Sequence, residues 1–359
     1  MKIAITSDEH LGKTLYRNEE DSLNKFERKL YNVWKENVDI IIEEQPDIYI
    51  SCGDIFDTAN PKIIPISKYK EQMVRLRDAN IPSLLIMGNH DFAFKNKQND
   101  TSAVRMIIQD SGLKVEKYAE YNLDYYIKDK FLFVLCPFIY GNKNIIDDMW
   151  TQAKFLCEEY KDLHKILITH GVTELYVEKF PQFGSEGMVV PKWLIELFDE
   201  VIIGHIHVPY QEKYKGTTII SPGSLINYVE DTDDTGPIFM EFDGTKLVKI
   251  RRTHIDTPHT IKLTCTEKDI NSVLDSITEN IYKITYTGDT SKIDNSKFIE
   301  ARTRAINLIL DIERFDKEED LNSQTTQQNI KDFQTWIKDN YPDKLESFKQ
   351  AKQEIELKV

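Results

Sequence analysis

Five clusters of metal-capable side chains, each placed directly after a short apolar run, constrain this chain more than any other feature. The predicted strand Lys2–Thr6 leads into Asp8-Glu9-His10, Asp47–Cys52 into Gly53-Asp54-Ile55-Phe56-Asp57, and Ser83–Met87 into Gly88-Asn89-His90-Asp91. Lys165–Thr169 leads into His170-Gly171, and Glu200–Ile203 into Gly204-His205-Ile206-His207. Of the chain's 8 histidines, those at 10, 90, 170, 205 and 207 lie in these clusters, while His164, His254 and His259 have no such context. In an α/β sheet, sites form outside the carboxyl ends of the strands. Five such ends bring Asp8, His10, Asp54, Asn89, His170, His205 and His207 to one place. Any one cluster alone is a commonplace turn or surface pair; their joint appearance, each after a strand, is what carries weight.

The ligand types narrow the chemistry. Carboxylate oxygen with imidazole suits Mn²⁺, Fe²⁺ or Zn²⁺, and a donor set without cysteine argues against a structural zinc site. Seven donors exceed what one ion needs, so two divalent ions sharing one carboxylate is the economical expectation. Ions roughly 3.5–4 Å apart can activate a water and hold a phosphoryl group for in-line attack. The four cysteines (Cys52, Cys136, Cys157, Cys265) are far apart and fit small buried hydrophobes in a reducing compartment.

Strands alternate with helical patterns such as Ser22–Glu44 and Ser67–Ala79, which indicates an α/β layered domain. Further strands are predicted at Phe131–Pro137, Thr217–Ser221, Pro237–Phe242 and Leu247–Arg251, which makes the core two-sheeted. A turn at Asp256-Thr257-Pro258 ends that stretch. Beyond it, Thr260–Cys265, Tyr282–Tyr286 and Asn307–Ile312 read as strands of a small α+β domain. An acidic run at 313–320 and a polar stretch at 322–328 read as a linker. Apolar residues at helical spacing then run over 329–356, either packing on the protein's own core or forming a docking face. The expected domains are 1–254, 255–320 and 321–359.

Charge is the awkward feature. Lys plus Arg is 46 against 60 for Asp plus Glu, a net charge of −14, which penalises nucleic-acid binding on average composition. From Ile255 onward there are 15 basic and 20 acidic residues, so the acidity is spread rather than confined to a tail. Local patches and bound cations can reverse such a field. Lys249, Arg251 and Arg252 form one candidate phosphate-contacting strip, with Lys95 and Lys97 a second and Tyr228 a candidate stacking residue. The amino terminus reads as no secretory leader, and no stretch approaches the roughly 20 apolar residues of a membrane span. The expectation is a soluble, cytoplasmic protein.

The motifs Asp8-x-His10, Gly53-Asp54-x-x-Asp57, Gly88-Asn89-His90-Asp91, His170 and Gly204-His205-x-His207 resemble those of the calcineurin-like metallophosphoesterases. Leu11-Gly12 after the first motif and Ser221-Pro222-Gly223-Ser224 after the last resemble the SbcD branch of DNA repair and recombination nucleases, its phage members especially. The resemblance covers residues 1 to about 250. It implies an α/β fold: a two-sheet metallophosphoesterase core flanked by helices, with a small α+β capping domain and C-terminal helices. It implies Asp8, His10 and His207 on the first metal, Asn89, His170 and His205 on the second, and Asp54 bridging. It also implies that His90 stabilises transition-state charge or protonates the leaving oxygen, oriented by Asp91. Some relatives carry a phosphate-positioning histidine where this chain has Asp57, so Asp57 departs from the pattern and is expected to support a neighbouring side chain. The implied activity is a Mn²⁺-dependent exo/endonuclease using two metal ions. It would act on DNA as a homodimer with an SbcC-like SMC-family ATPase subunit, in the host cytoplasm if phage-encoded. A phosphatase or small-molecule phosphodiesterase is the alternative, favoured by the acidic charge. A non-catalytic scaffold would be expected to have lost ligands, and here every position is filled.

Overall fold

The computed structural model describes residues 1–15, 25–92, 102–141, 143–185, 188–226 and 235–313. Residues Met1–Asp311 form one compact unit. The chain opens with β1 (Lys2–Thr6), α1 (Lys25–Glu44), β2 (Ile48–Ser51), α2 (Ile63–Asp78), β3 (Ser83–Ile86), α3 (Ala103–Ser111) and β4 (Val115–Ala119). It continues through β5 (Asp124–Lys128), β6 (Phe131–Cys136), α4 (Lys143–Glu159), β7 (His164–His170), β8 (Val172–Thr173), α5 (Glu174–Lys179), β9 (Val189–Val190) and α6 (Lys192–Ile195). Then come β10 (Glu200–Gly204), β11 (Tyr210–Tyr214), β12 (Thr217–Ser221), β13 (Ile238–Asp243) and β14 (Lys246–Arg252). Last are β15 (Thr260–Thr266), α7 (Ile270–Ser276), β16 (Ile281–Thr287), α8 (Asn295–Arg304) and β17 (Asn307–Glu313).

Two six-stranded sheets, ordered β14-β13-β1-β2-β3-β4 and β11-β12-β10-β7-β6-β5, pack face to face. The reason is legible strand by strand. Ile3 and Ile5 of β1, Ile48 and Ile50 of β2, and Ile166 and Ile168 of β7 all enter the layer between the sheets. Their neighbours Ala4, Tyr49 and Leu167 point outward, the first two beneath α1 and α2 and the third beneath α4. Successive strand residues face opposite sides, and both sides here are covered, so the central strands are apolar throughout. Each fully buried Ile or Leu contributes roughly 1.5–3 kcal/mol of transfer free energy. The result is a four-layer helix–sheet–sheet–helix core, as the two-sheet expectation required.

Within the first sheet β1, β2, β3 and β4 are parallel, and within the second β6, β7, β10 and β12 are parallel. The five strands followed by the metal-capable clusters therefore release their chains at the same edge of each sheet. The strands β4, β5 and β11 lie outside the sequence expectation. Charged residues fall on both faces of β4 and β11 (Glu116 and Lys117, Glu212 and Lys213), and β5 exposes Tyr125 and Ile127, which masks the apolar period of two.

Strands β15, β16 and β17 form a separate sheet whose own core includes Leu274, Ile284, Tyr286 and Ala301. This is the α+β arrangement expected after residue 255. The expected linker beyond Glu313 and the helical stretch 329–356 lie outside the described residues, as do Lys95, Lys97 and Tyr228. None of the described helices is long and apolar enough to cross a membrane.

Candidate metal centre

Two ligand loops run side by side beyond the ends of β1 and β2. Asp8 N donates to the Gly53 carbonyl at 3.0 Å, His10 N to Asp54 O at 2.9 Å, and Leu11 N to Ile55 O at 2.9 Å. The ladder is irregular by necessity. Asp8 (φ 52°), His10 (45°), Asp54 (54°) and His205 (92°) all adopt left-handed backbone conformations. Such conformations cost non-glycine residues of order 1–3 kcal/mol each and concentrate at functional sites. Gly88 could not be anything else, because a Cβ there would lie 2.2 Å from Asp54 Oδ1.

All seven expected ligands converge. His10 Nε2 lies 3.0 Å from His207 Nε2 and 3.6 Å from Asp54 Oδ2. His207 Nε2 lies 3.7 Å from Asp8 Oδ1. On the other side, Asn89 Oδ1 lies 2.9 Å from both His170 Nε2 and His205 Nδ1, and His170 Nε2 is 3.4 Å from Asp54 Oδ2. One donor atom from each of Asp8, His10 and His207 fits within 4.8 Å, as does one from each of Asp8, Asp54 and His170. Donors bound at roughly 2.0–2.2 Å along perpendicular directions sit about 3 Å apart, which is the spacing found here. Two Nε2 atoms facing each other at 3.0 Å can share only one proton; a cation satisfies both. The residues present therefore fit divalent cations, with Asp54 Oδ2 facing both His10 and His170.

Backbone and carboxylate contacts orient the rings. His170 Nδ1 donates to the Cys52 carbonyl at 2.7 Å, which turns the Nε2 lone pair toward Asp54 and Asn89. The Asp57 carboxylate lies 3.3 Å from His10 Nδ1 and 2.9 Å from Lys13 Nζ. His205 N donates to both Asp8 oxygens at 3.1 Å. The Ser221–Ser224 turn holds the last loop: Ser221 Oγ donates to Ile206 O at 3.3 Å and Ser224 N to His207 O at 3.1 Å.

The electrostatics favour added positive charge. Burial first, and then the neighbouring His170, push His205 down to about 4. Burial does the same to His207, so both imidazoles are neutral and free to ligate at neutral pH. Burial opposes a proton on His170, but the Asp54 and Asp8 carboxylates outweigh it and raise that group to about 9. Despite burial, the His170, His10 and His90 rings hold Asp54 well below the usual carboxylate range. A proton on His170 answers the same negative field that a cation would.

His90 and Asp91 do not form the expected pair. His90 Nδ1 donates to the main-chain carbonyl of Asp57 at 2.9 Å. The Asp91 carboxylate instead accepts from the backbone N–H groups of Ile55 (3.2 Å), Phe56 (3.0 Å) and Gly88 (3.1 Å). Three converging amide donors outcompete one imidazole for a buried acceptor. Asp91 thus ties the second and third ligand loops together, and burial followed by repulsion from Asp54 raises it to about 6.

The basic strip on β14 also reads differently in place. Arg251 pairs with Glu44 and Glu241 and lies over the Phe239 ring, while Arg252 donates to the carbonyls of Gly236 (2.7 Å) and Pro222 (2.8 Å). Both are engaged in holding the fold; Lys249 is exposed.

A cavity of about 610 Å³ is lined by Asp54, Asn89, His90, His205 and His207. Tyr176, Phe180 and Phe183 also line it, with the Tyr176 ring 4.9 Å from Phe180 and 5.5 Å from Phe183. Sequence reasoning missed this aromatic cluster, because its rings come from α5, from Phe180 just past the end of that helix and from the 3-10 turn Pro181–Ser185, and so share no single period. A second cavity of about 920 Å³, lined by Trp150 and Trp193 among others, holds none of the donors.

Comparison with known proteins agrees with this geometry. The chain is 23% identical over 282 residues to DNA double-strand break repair protein Mre11 of Nanoarchaeum equitans, covering 72% of this chain and 73% of that one. It is 29% identical over 232 residues to Mre11 of Saccharolobus solfataricus, covering 62% and 54%. It is 26% identical over 256 residues to the SbcD component of the nuclease SbcCD from Staphylococcus epidermidis, covering 64% and 62%. The chain thus spans between about half and three-quarters of these relatives' length. Residues 1–209, more than half of the chain and the segment carrying all five motifs, match the calcineurin-like phosphoesterase family, and the chain belongs to that family of metal-dependent hydrolases.

Proposed function

We propose that this protein is a DNA repair nuclease that hydrolyses phosphodiester bonds with two divalent ions, Mn²⁺ foremost. Asp8, His10 and His207 would hold one ion, Asn89, His170 and His205 the other, with Asp54 between them. Such a pair of ions supplies polarisation of phosphoryl oxygens and a deprotonated attacking water at neutral pH. The chain's own residues do the rest. His90, with Nδ1 committed to the Asp57 carbonyl, has Nε2 left to face developing charge or give a proton to the leaving oxygen. The tie from Asp91 to Ile55, Phe56 and Gly88 keeps the Asp54 and His90 loops in register.

The observation that carries the choice of substrate is the aromatic cluster of Tyr176, Phe180 and Phe183 lining the same cavity as the candidate donors. Every base has a π-face, and stacking is worth roughly 1–3 kcal/mol per base. A site for a small phosphomonoester has no use for such a cluster. The similarity to the DNA double-strand break repair protein Mre11 and to the nuclease SbcCD points the same way. Action with an SMC-like ATPase partner is carried over from the SbcD resemblance. A homodimer is supported by apolar side chains left exposed on α2 and α3, Ile63 (83%) and Met106 (55%). A cytoplasmic setting is supported by four free, buried cysteines.

The test is hydrolysis of end-labelled DNA beside a small chromogenic phosphodiester, with Mn²⁺, with Mg²⁺ and with chelator. Metal-dependent DNA cleavage that Phe183→Ala weakens more than cleavage of the small ester supports the nuclease. Cleavage of the small ester alone, with DNA intact even after addition of the ATPase, leaves a metallophosphoesterase acting on another substrate.

A further inference from the structure

Between the two ligands Asp8 and His10 sits Glu9, wholly buried and turned away from the metal centre's cavity-lining residues. Its Oε1 accepts from Thr6 Oγ1 at 2.5 Å, and its two oxygens accept from Ser51 Oγ at 3.0 and 3.1 Å. Tyr49 Oη reaches Oε1 at 3.4 Å and also lies 2.7 Å from Thr6 Oγ1. No basic side chain stands among these partners. Thr6 and Ser51 are themselves cross-strand neighbours, the last paired residues of β1 and β2. One carboxyl group therefore spans the final rung of the ladder from which both ligand loops depart.

That position answers a mechanical need. Beyond the rung, Asp8 and His10 are left-handed on one loop, and Gly53 and Asp54 are left-handed on the other. A regular ladder cannot hold such backbone, and strained conformations persist only where surrounding contacts over-determine them. The spacing of Asp8 and His10 against Asp54 is set by how these loops lie together. A buried carboxyl group without a cationic partner is also a costly way to fill space, where leucine would serve.

We propose that Glu9 is a positioning residue for the metal centre: it clamps Thr6 of β1 to Ser51 of β2 and so holds the Asp8–His10 loop at ion-binding distance from Asp54. The inference rests on the two-ion reading above. It concerns the shape and acceptor oxygens of the side chain, not its charge. Glutamine at this position keeps an acceptor for the hydroxyls and gains a donor toward Ser51 Oγ; alanine removes the clamp.

The experiment is titration of the full-length, chelator-stripped protein with Mn²⁺, followed by calorimetry and by the electron paramagnetic resonance signal of a coupled ion pair. Glu9→Ala is expected to unfold cooperatively, to bind its ions 10–100-fold more weakly, and to lose the coupled signal. Glu9→Gln is expected to stay within about threefold of wild type and to keep the signal, whereas Glu9→Leu, which fills the space without an acceptor, is expected to fail as Glu9→Ala does; rescue by leucine as well would reduce Glu9 to packing. If Glu9→Ala does not fold, Ser51→Ala, which removes the β2 half of the clamp, decides the matter by the same two readouts. Either variant, folded and binding a coupled pair with wild-type affinity, overturns the role of Glu9. A wild-type protein that binds no pair of ions sinks the two-ion reading itself, which is a different failure.

Discussion

The Nδ1 atom of His90 is 2.9 Å from the main-chain carbonyl of Asp57, while the Asp57 side chain lies 3.3 Å from Nδ1 of His10. One residue thus touches the His90 ring through its backbone and the His10 ring through its carboxylate. The two contacts separate on substitution. His90→Asn is expected to lower DNA hydrolysis by about 10²–10⁴-fold. Ion stoichiometry by calorimetry should be unchanged, because the proposed ligand set does not include His90. Unchanged activity would remove His90 from the chemistry.

Asp57→Ala keeps the carbonyl that anchors His90 but deletes the carboxylate beside His10. Outer partners of metal-bound imidazoles typically govern 10–100-fold in affinity. We expect Asp57→Ala to weaken ion binding by that order while kcat at saturating Mn²⁺ falls far less than in His90→Asn. A kcat loss as deep as that of His90→Asn, at full ion occupancy, would show that Asp57 acts in the reaction itself.

Asp91 is a matter of stability first. Its carboxylate satisfies the amides of Ile55, Phe56 and Gly88, all buried. Asp91→Ala strands three donors, each of which costs roughly 1–3 kcal/mol when left unmade. We expect a loss of several kcal/mol, about 3 or more, in chemical denaturation of the ion-free protein. A stability within about 0.5 kcal/mol of wild type would mean that water replaces the carboxylate at this junction.

The parallel strands that carry the ligands were legible in the sequence because both faces of β1, β2, β7 and β10 are buried, leaving unbroken apolar runs. The convergence of the candidate donors was legible because strand ends and donor types coincide. What the chain hid depends on partners distant in sequence. Arg251 looked like a phosphate contact, yet Glu44 pairs with it across a separation of 207 residues. Asp91 looked like a partner for its neighbour His90, yet its acceptors face amides some 35 residues earlier. Glu9 has no reading in the sequence, because its partners Thr6 and Ser51 meet only when β1 pairs with β2.

The exposed side chains on α2 and α3 make a sharp prediction about assembly. Ile63 and Ile64 at the start of α2 are 83% and 39% exposed, and Met106 on the adjacent α3 is 55% exposed. Large apolar side chains left exposed on neighbouring helices are what an interaction site would bury. Sedimentation equilibrium should show a dimer that Ile63→Glu with Met106→Glu converts to a monomer, the circular dichroism spectrum being unaltered. A wild-type monomer at tens of micromolar would sink the homodimer.

Stability should also carry a pH signature far from the metal centre. Glu200 is buried at the start of β10, with His164 Nε2 at 2.5 Å and Asp199 beside it. Burial first, opposed by His164 and helped by Asp199, raises its pKa above the ordinary 4.5. The folded state therefore holds this proton more tightly than the unfolded chain does. The contribution is fully present below 4.5 and is lost as pH rises through the folded value. Glu200→Gln cannot ionise, and its amide oxygen still accepts from His164. The stability of wild type relative to Glu200→Gln should therefore fall as pH climbs from 4 toward neutrality, then level off. Denaturant midpoints of both proteins across that range measure it. A difference that stays flat, or that grows in favour of wild type, would mean that the His164 pairing outweighs burial and that Glu200 is an ordinary ionised partner.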